Sequence, residues 1–331
     1  MPDTLLVVPA APAGSMESLE NRMMEPACRR ARVARSEADF SLIELLVAVA
    51  VMMIISGIVM QALLQMTTAQ GMVANRTRMH ASIRSATSLL QQEVGQAGRV
   101  SLPGAMTLTA ALAATGAQTV TVTSVAGIFV NEQLVVDTGP SEETVTVTAV
   151  NAGGNTFSAV FANTHAANAT VSVRGGFASG IVPTTMANGS TGTVLKIYGD
   201  INGDGNMMYV EYTCNTAAGI LYRNSMPFTA AAKPVLTATH TLLNIRPNPG
   251  NAPCFTYDQD TVNGNTYVLV VGVTLTVATS AADPITHQFQ TETLSLLNVS
   301  PRNVFDVWQL AGIGGANRIQ PMPASVLSLL P

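Results

Sequence analysis

The side chains best suited to hold a metal ion lie in one short segment, DINGDGNMMYVE. Its acidic and amide residues follow the spacing D-x-[DN]-x-[DN]-G-x5-E of a calcium loop, and hard cations prefer such oxygen ligands. The candidate ligands are Asp200, Asn202, Asp204, Asn206 and Glu211. The flanking residues favour strands over helices, and Asn-Gly or Asp-Gly is also the commonest signal of a hairpin turn. The segment therefore predicts either a Ca²⁺ loop or a plain hairpin turn, and it suggests no other cofactor.

Residues that could support catalysis are scattered. The four histidines show no metal-ligand spacing, and the chain has no phosphate-binding loop, no HExxH sequence and no CxxC pair. Only 11% of the residues are charged and the net charge is −4, so no basic surface for nucleic acid is expected. The sequence predicts neither an enzyme nor a nucleic-acid-binding protein.

One carboxylate, Glu44, lies at the start of a long apolar run. No charged residue occurs from Leu45 to Asn75, and the twenty residues from Leu45 to Leu64 would span about 30 Å as a helix, which matches a bilayer. A charge inside hydrocarbon costs about 3 kcal/mol, so we expect Glu44 to have a function that compensates this cost. Four arginines precede the run, at positions 29, 30, 32 and 35, and they predict a cytoplasmic amino terminus with the rest of the chain outside.

Beyond the apolar run the pattern becomes that of an amphipathic helix. Apolar residues recur every three or four positions at Met79, Ile83, Ala86, Leu90 and Val94. Polar residues, Glu93 among them, occupy intervening positions. We expect one helix of about 55 residues that ends near residues 95 to 98, with its first half in lipid and its second half packed on a domain.

The segment FSLIELLVAVAV, from Phe40 to Val51, resembles the prepilin-type amino-terminal motif of type IV pilins and of type II secretion pseudopilins. The resemblance implies that a prepilin peptidase removes a basic leader before Phe40 and that the new amino terminus is methylated. Glu44 then matches the glutamate at the fifth mature position, which in this family is thought to meet the amino terminus of a neighbouring subunit. Such a pair compensates the cost of a carboxylate in a low dielectric. Glu44 is therefore expected to act in assembly.

Asp39 departs from the family pattern, which has Gly immediately before the cleavage site. A carboxylate there would have to be desolvated beside an acidic peptidase site, and like charges oppose this. We expect slow or absent cleavage, with the leader, residues 1–39, retained in the cytoplasm.

The rest of the chain predicts β-structure in two parts. Residues 104–176 contain five short β-prone runs separated by turn clusters, which predict a small barrel or sandwich inserted after the helix (residues 40–98). Residues 177–331 predict a β-rich head with a long antiparallel pair and a short helix begun by Ser300 and Pro301, and the sheet ending in NVSPRN resembles PilW-type minor pilins. The predicted class is α+β: a long helix packed on an antiparallel pilin head, with an inserted all-β module.

The cysteines are placed unevenly, with Cys28 before the apolar run and Cys214 and Cys254 after it. Many pilins link their carboxy-terminal region by a disulfide, so the resemblance implies a Cys214–Cys254 bond. Two unpaired thiols are the alternative.

Together these features predict a structural minor pilin or pseudopilin of the bacterial inner membrane. It would cross the membrane once, with its head outside or on a pilus at the cell surface, and its partners would be other pilin subunits and a prepilin peptidase. The alternative is a membrane-tethered adhesin that binds through the inserted module. Pilus and type II secretion systems are not distinguished by the sequence.

Overall fold

The computed structural model describes residues 41–177, 179–315 and 318–331. The chain divides after Gln61 into two compact units, and each is treated by itself below. The leader, together with Asp39 and Phe40, lies outside the described residues.

Helix α1 runs from Leu42 to Gly95, a length of 54 residues, so the expected long helix is confirmed. Its sequence has no proline, and long unbranched side chains such as Leu and Met favour helix. Every residue of its first part, up to Gln61, is exposed. Among the described helices, only α1 is long and apolar enough to cross a membrane.

The later part of α1 buries one face. Its buried residues recur at helical spacing and are Met79, Ile83, Ala86, Thr87, Leu90, Glu93 and Val94. The apolar members join a hydrophobic core with sheet residues such as Val210 and Leu275. The predicted amphipathic face is thus confirmed, with Glu93 as an exception.

A six-stranded antiparallel sheet follows α1. Its strands are β1 (Met106–Thr107), β2 (Gly116–Thr121), β3 (Gln133–Val136), β4 (Glu143–Asn151), β5 (Thr156–Phe161) and β6 (Thr170–Val173). Their order in the sheet is β1-β6-β3-β4-β5-β2. The sheet closes on itself, because Leu108 after β1 pairs with Val122 after β2 in antiparallel fashion. The backbone N–H of Thr109 donates to the Thr121 carbonyl at 2.9 Å at this closure. The result is a small barrel.

Alternation along the strands fills the barrel with its own core. In β4, Val145 and Val147 are buried whereas Thr144, Thr146 and Thr148 are exposed. The two-residue period sends alternate side chains inward, as expected for a sheet with one dry face. The buried side chains form a hydrophobic cluster of their own that includes Leu134, Phe157 and Phe161.

The remaining strands form two larger sheets. The strands are β8 (Val194–Gly199), β9 (Met208–Asn215), β10 (Ile220–Pro227), β11 (Thr241–Asn244), β12 (Phe255–Val262), β13 (Asn265–Ala278) and β14 (Thr291–Val299). One sheet has the order β11-β10-β9-β8, and the other has the order β12-β13-β14. Both sheets are antiparallel, and β13 with β14 is the long pair that the sequence predicted.

Short elements complete the chain. Strand β7 (Gly176–Phe177) pairs in parallel with β15 (Ile319–Gln320). Helix α2 spans Arg302–Gly312 and α3 spans Ala324–Leu329. The N-cap of α2 is Pro301, and the Ser300 hydroxyl donates to the Leu269 carbonyl at 2.9 Å, so the expected cap at Ser300 is wrong.

Candidate functional site

The largest exposed apolar surface of the described chain is the first part of α1. Its large apolar side chains from Leu42 to Met66 are exposed at nearly every turn, on all faces of the helix. In water such a surface is unfavourable, and contiguous apolar patches of this size mark contact with lipid or with other proteins. The apolar side chains of this part of α1 therefore favour a low-dielectric environment.

Glu44 interrupts this surface in the first turn of α1. Its backbone N–H donates to the Ser41 carbonyl at 2.9 Å, so the helix is formed around it. The flanking residues Ile43 and Leu45 are exposed apolar side chains. The side chain is itself exposed, and a carboxylate in the first turn is favoured by the helix dipole. Asp39 and Phe40, the expected processing residues, lie outside the described residues.

A buried ion pair holds the later part of α1. Glu93 accepts a hydrogen bond from the Tyr212 hydroxyl at 2.5 Å and three from Arg223, one from Nη2 at 2.5 Å and two from Nε at 3.0 and 3.2 Å. Burial, and next the charge of Glu93, raise the pKa of Tyr212, so its hydroxyl remains a donor. The apolar pattern of α1 leaves Glu93 at an intervening position, yet Glu93 lies three residues after Leu90 and so shares the buried face. The three-residue separation from Leu90 is the sequence signal that could have predicted the burial of Glu93.

Cys214 and Cys254 are joined in a disulfide with a Cα–Cα distance of 6.4 Å. Cys214 lies on β9, and Cys254 directly precedes β12, so the bond links the two larger sheets. Both residues are buried in the core that α1 covers.

The expected calcium loop connects β8 and β9, whose ladder ends at the Gly199–Met208 pair. Asp200 accepts hydrogen bonds from the backbone N–H groups of Asp204 at 3.0 Å and Gly205 at 2.9 Å. Asp204 in turn accepts one from the Asn206 N–H at 2.9 Å. These carboxylates close the turn on itself, as Asx turns do.

Glu211 is not brought to this turn. It pairs with Lys196 in the ladder, three positions from the Gly199–Met208 pair, which is about 10 Å along a strand. Its Oε2 lies 3.0 Å from the Lys233 ammonium and 3.8 Å from that of Lys196. Within the described ranges, no three His, Cys, Asp or Glu side chains form a group that could hold a metal ion. Glu211 is therefore not placed with the other predicted calcium ligands, and the hairpin alternative agrees with the geometry.

Two polar clusters were not predicted. In the barrel, the buried His165 ring lies 3.2 Å from Asp137 through Nδ1 and 2.6 Å from Glu143 through Nε2. The Thr138 N–H, and next His165, lower the pKa of Asp137. Glu143 also accepts the N–H of Ala162 at 2.6 Å. The cluster ties together segments far apart in the sequence, and no local spacing reveals it.

The second cluster joins the end of α1 to the barrel. Arg99 forms an ion pair with the fully buried Glu132 and donates to the Gly127 carbonyl at 2.5 Å. Its guanidinium lies 5.4 Å from the centre of the Phe129 ring. Burial raises the pKa of Glu132 to about 7, against the opposing charge of Arg99. This contact fixes the barrel to the chain that leaves α1.

Comparison with known proteins adds no family. A scan against protein-family models finds no match, and a search of curated proteins finds no matching relative.

Proposed function

We propose that this chain is a structural subunit, a minor pilin or pseudopilin, which enters a type IV pilus-like filament through the apolar part of α1. The main support is the division of α1 into exposed apolar residues up to Met66 and a buried face from Met79 onward. The exposed part requires an apolar environment, which is lipid before assembly and the helices of neighbouring subunits afterwards.

Glu44 is the residue that selects assembly over the monomeric state. A lone carboxylate in lipid costs about 3 kcal/mol on insertion scales. An ammonium group at the amino terminus of a neighbouring subunit would compensate that charge in a low dielectric. The cost of the unpaired carboxylate in the monomer therefore favours docking onto a neighbouring subunit. The pairing of Glu44 also sets the axial position of one helix against the next, as one polar residue does in a coiled coil.

The remaining architecture fits this proposal. Residues 45–64 would cross the bacterial inner membrane once, with the leader in the cytoplasm and everything beyond outside. The two larger sheets would form a pilin-type head at residues 177–331, on which the later part of α1 is packed. The barrel, within residues 104–176, would be a module inserted between helix and head.

The test compares Glu44→Leu with Gln61→Leu, a matched loss of a polar side chain from the same exposed part of α1. Both variants are expressed in the native host, and the membrane level and the filament content are measured. We expect Glu44→Leu to keep its membrane level and to lose filament incorporation at least tenfold, while Gln61→Leu behaves like the parent chain. Normal incorporation of Glu44→Leu would contradict the proposal.

A membrane-tethered adhesin is the second candidate, and the closed barrel with its own hydrophobic core favours it. A self-contained barrel can present a binding face without disturbing the head. Replacing the exposed Thr146 and Thr148 by Arg would then abolish surface binding and leave filament content unchanged. Loss of filaments in this variant would argue against the adhesin.

A further inference from the structure

We propose that the 279–290 loop, which joins β13 to β14, is a second membrane contact that places Ile285 in the headgroup region of an anionic phospholipid bilayer. This inference rests on the proposed function, because it requires residues 45–64 to span that bilayer. The loop would fix the head at the membrane surface before the subunit enters a filament.

The loop lies against the part of α1 that directly follows the apolar run. The Ser280 hydroxyl donates to the Asn75 side chain at 2.7 Å. Between loop and helix lies a groove of about 440 Å³, which is lined by Thr68 and Gly71 on the helix side and by Pro284 on the loop side. The groove extends along α1 from Thr68 to Arg78, and its end nearest the apolar run is at Thr68.

That level corresponds to the headgroup region. Thr68 follows Leu64, the last residue of the predicted span, by four residues, which is about 6 Å along a helix. The zone between the hydrocarbon edge and bulk water is roughly 5 to 7 Å deep on each side. A side chain that extends from the tip of the loop thus meets lipid headgroups.

The loop is internally bonded, so it presents its apolar side chains on an ordered turn. The Asp283 carboxylate accepts the N–H groups of Ile285 at 2.8 Å and Thr286 at 3.0 Å, and the Asp283 carbonyl accepts that of His287 at 2.7 Å. Ile285 is nevertheless 74% exposed, and Phe289 is 50% exposed. On the adjoining helix, Val73 is 66% exposed. Three exposed apolar side chains at one end of the head match a membrane interface.

The charges around the loop are mainly positive. The exposed Arg78 lines the groove, and Arg76 is exposed two residues before it on α1. The Arg246 guanidinium is exposed as well and lies 5.6 Å from the centre of the Phe289 ring. The facing acids are Asp283, whose carboxylate is bonded within the loop, and Glu292, which pairs with His80. Basic groups within about a Debye length of an anionic surface are attracted to it. This charge balance favours anionic phospholipid as the partner.

The experiment measures membrane depth at three positions of the full chain. In a Cys28→Ser background, a spin label is attached at Ile285→Cys, at Val51→Cys in the apolar run, or at Val160→Cys on the outside of the barrel. The protein is reconstituted in vesicles of phosphatidylethanolamine and phosphatidylglycerol, and the accessibility of each label to oxygen and to a water-soluble nickel chelate is compared. Ile285 is exposed, so its replacement leaves the core intact.

We expect the Val51 label to favour oxygen strongly, the Ile285 label to show intermediate accessibility, and the Val160 label to favour the nickel chelate. Replacing phosphatidylglycerol by phosphatidylcholine should raise nickel access at Ile285 about twofold. A lipid-exposed Val51 label with a fully nickel-accessible Ile285 label would overturn this inference and leave the proposed function standing. A water-exposed Val51 label would overturn the proposed function itself.

Discussion

Arg223 on β10 forms a hydrogen-bonded ion pair with Glu93 of α1, and its Nη2 lies 2.5 Å from Oε1 of Glu93. The two residues are 130 positions apart in the chain. Glu93 is almost fully buried, and the side chain of Arg223 keeps about a quarter of its exposure. This ion pair fixes the rotation of α1 about its axis and its position along the sheet that contains β10. In the filament subunit proposed above, this contact would transmit force from the helix to the sheet.

Removal of one partner of this ion pair should lower the free energy of unfolding. Arg223→Met leaves the Glu93 carboxylate buried without its cation, and we expect a loss of about 3 kcal/mol in the free energy of unfolding. The double variant Glu93→Leu/Arg223→Met should recover at least half of that loss, since no buried charge remains. Denaturant unfolding in detergent micelles measures both values. Equal losses in the single and double variants would contradict the assigned role of the pair.

The sequence predicted the long helix and the division of the rest into short strands, because both depend on local periodicity. The apolar run and the 3.6-residue pattern of α1 are local signals, and the turn clusters separated the strands of the barrel. What escaped prediction depends on the tertiary pairing of distant residues. Closure of the barrel at Leu108 and Val122, the partners of His165 and the lysines beside Glu211 are each set by strand register, which no local pattern records. Strand register also places Glu211, the last residue of the calcium motif, on β9 and away from the turn that holds Asp200 and Asp204.

The disulfide should contribute strongly to the stability of the head. Cys214 and Cys254 are separated by 40 residues, and the chain-entropy model gives about 4 kcal/mol for a loop of that size. Replacing both by Ser should lower the free energy of unfolding by that order, whereas Cys28→Ser serves as the control. Mass spectrometry without reductant should show one linked peptide pair in the protein isolated from the native host. Two alkylatable thiols in that pair of peptides would refute the bond.

Glu132 should make stability depend on pH near neutrality. Burial raises the pKa of Glu132 from 4.5 to about 7, so the protonated carboxyl is favoured in the folded chain. The contribution of Glu132 to the free energy of unfolding is then fully present below about pH 4.5 and is lost as the pH rises through 7. Relative to Glu132→Gln, the parent chain should lose up to about 3 kcal/mol across this window. Unfolding curves at several pH values, with exposed Glu142→Gln as control, test this; parallel curves for parent and Glu132→Gln would contradict it.

Calcium should have no effect on the stability of the head. The loop carboxylates already accept backbone N–H groups, and Glu211 is neutralised by Lys233 and Lys196. We expect the same melting temperature in excess calcium and in chelator. Asp200→Ala should lower it equally in both, because two hydrogen bonds of the turn are lost, each worth about 1 kcal/mol. A chelator-dependent drop that Asp204→Ala abolishes would restore the calcium loop.

In the proposed function, α1 carries the chain into a helical bundle and Glu44 directs it there. The most direct measurement places a photo-activated cross-linking amino acid at Val51, in the exposed apolar run, and illuminates intact cells of the native host. With Glu44 present we predict covalent adducts to the apolar helix of another pilin-type subunit, and in the Glu44→Leu chain we predict loss of most of these adducts at an unchanged membrane level. Adducts of equal yield in the two chains, or monomer alone in both, would contradict the account.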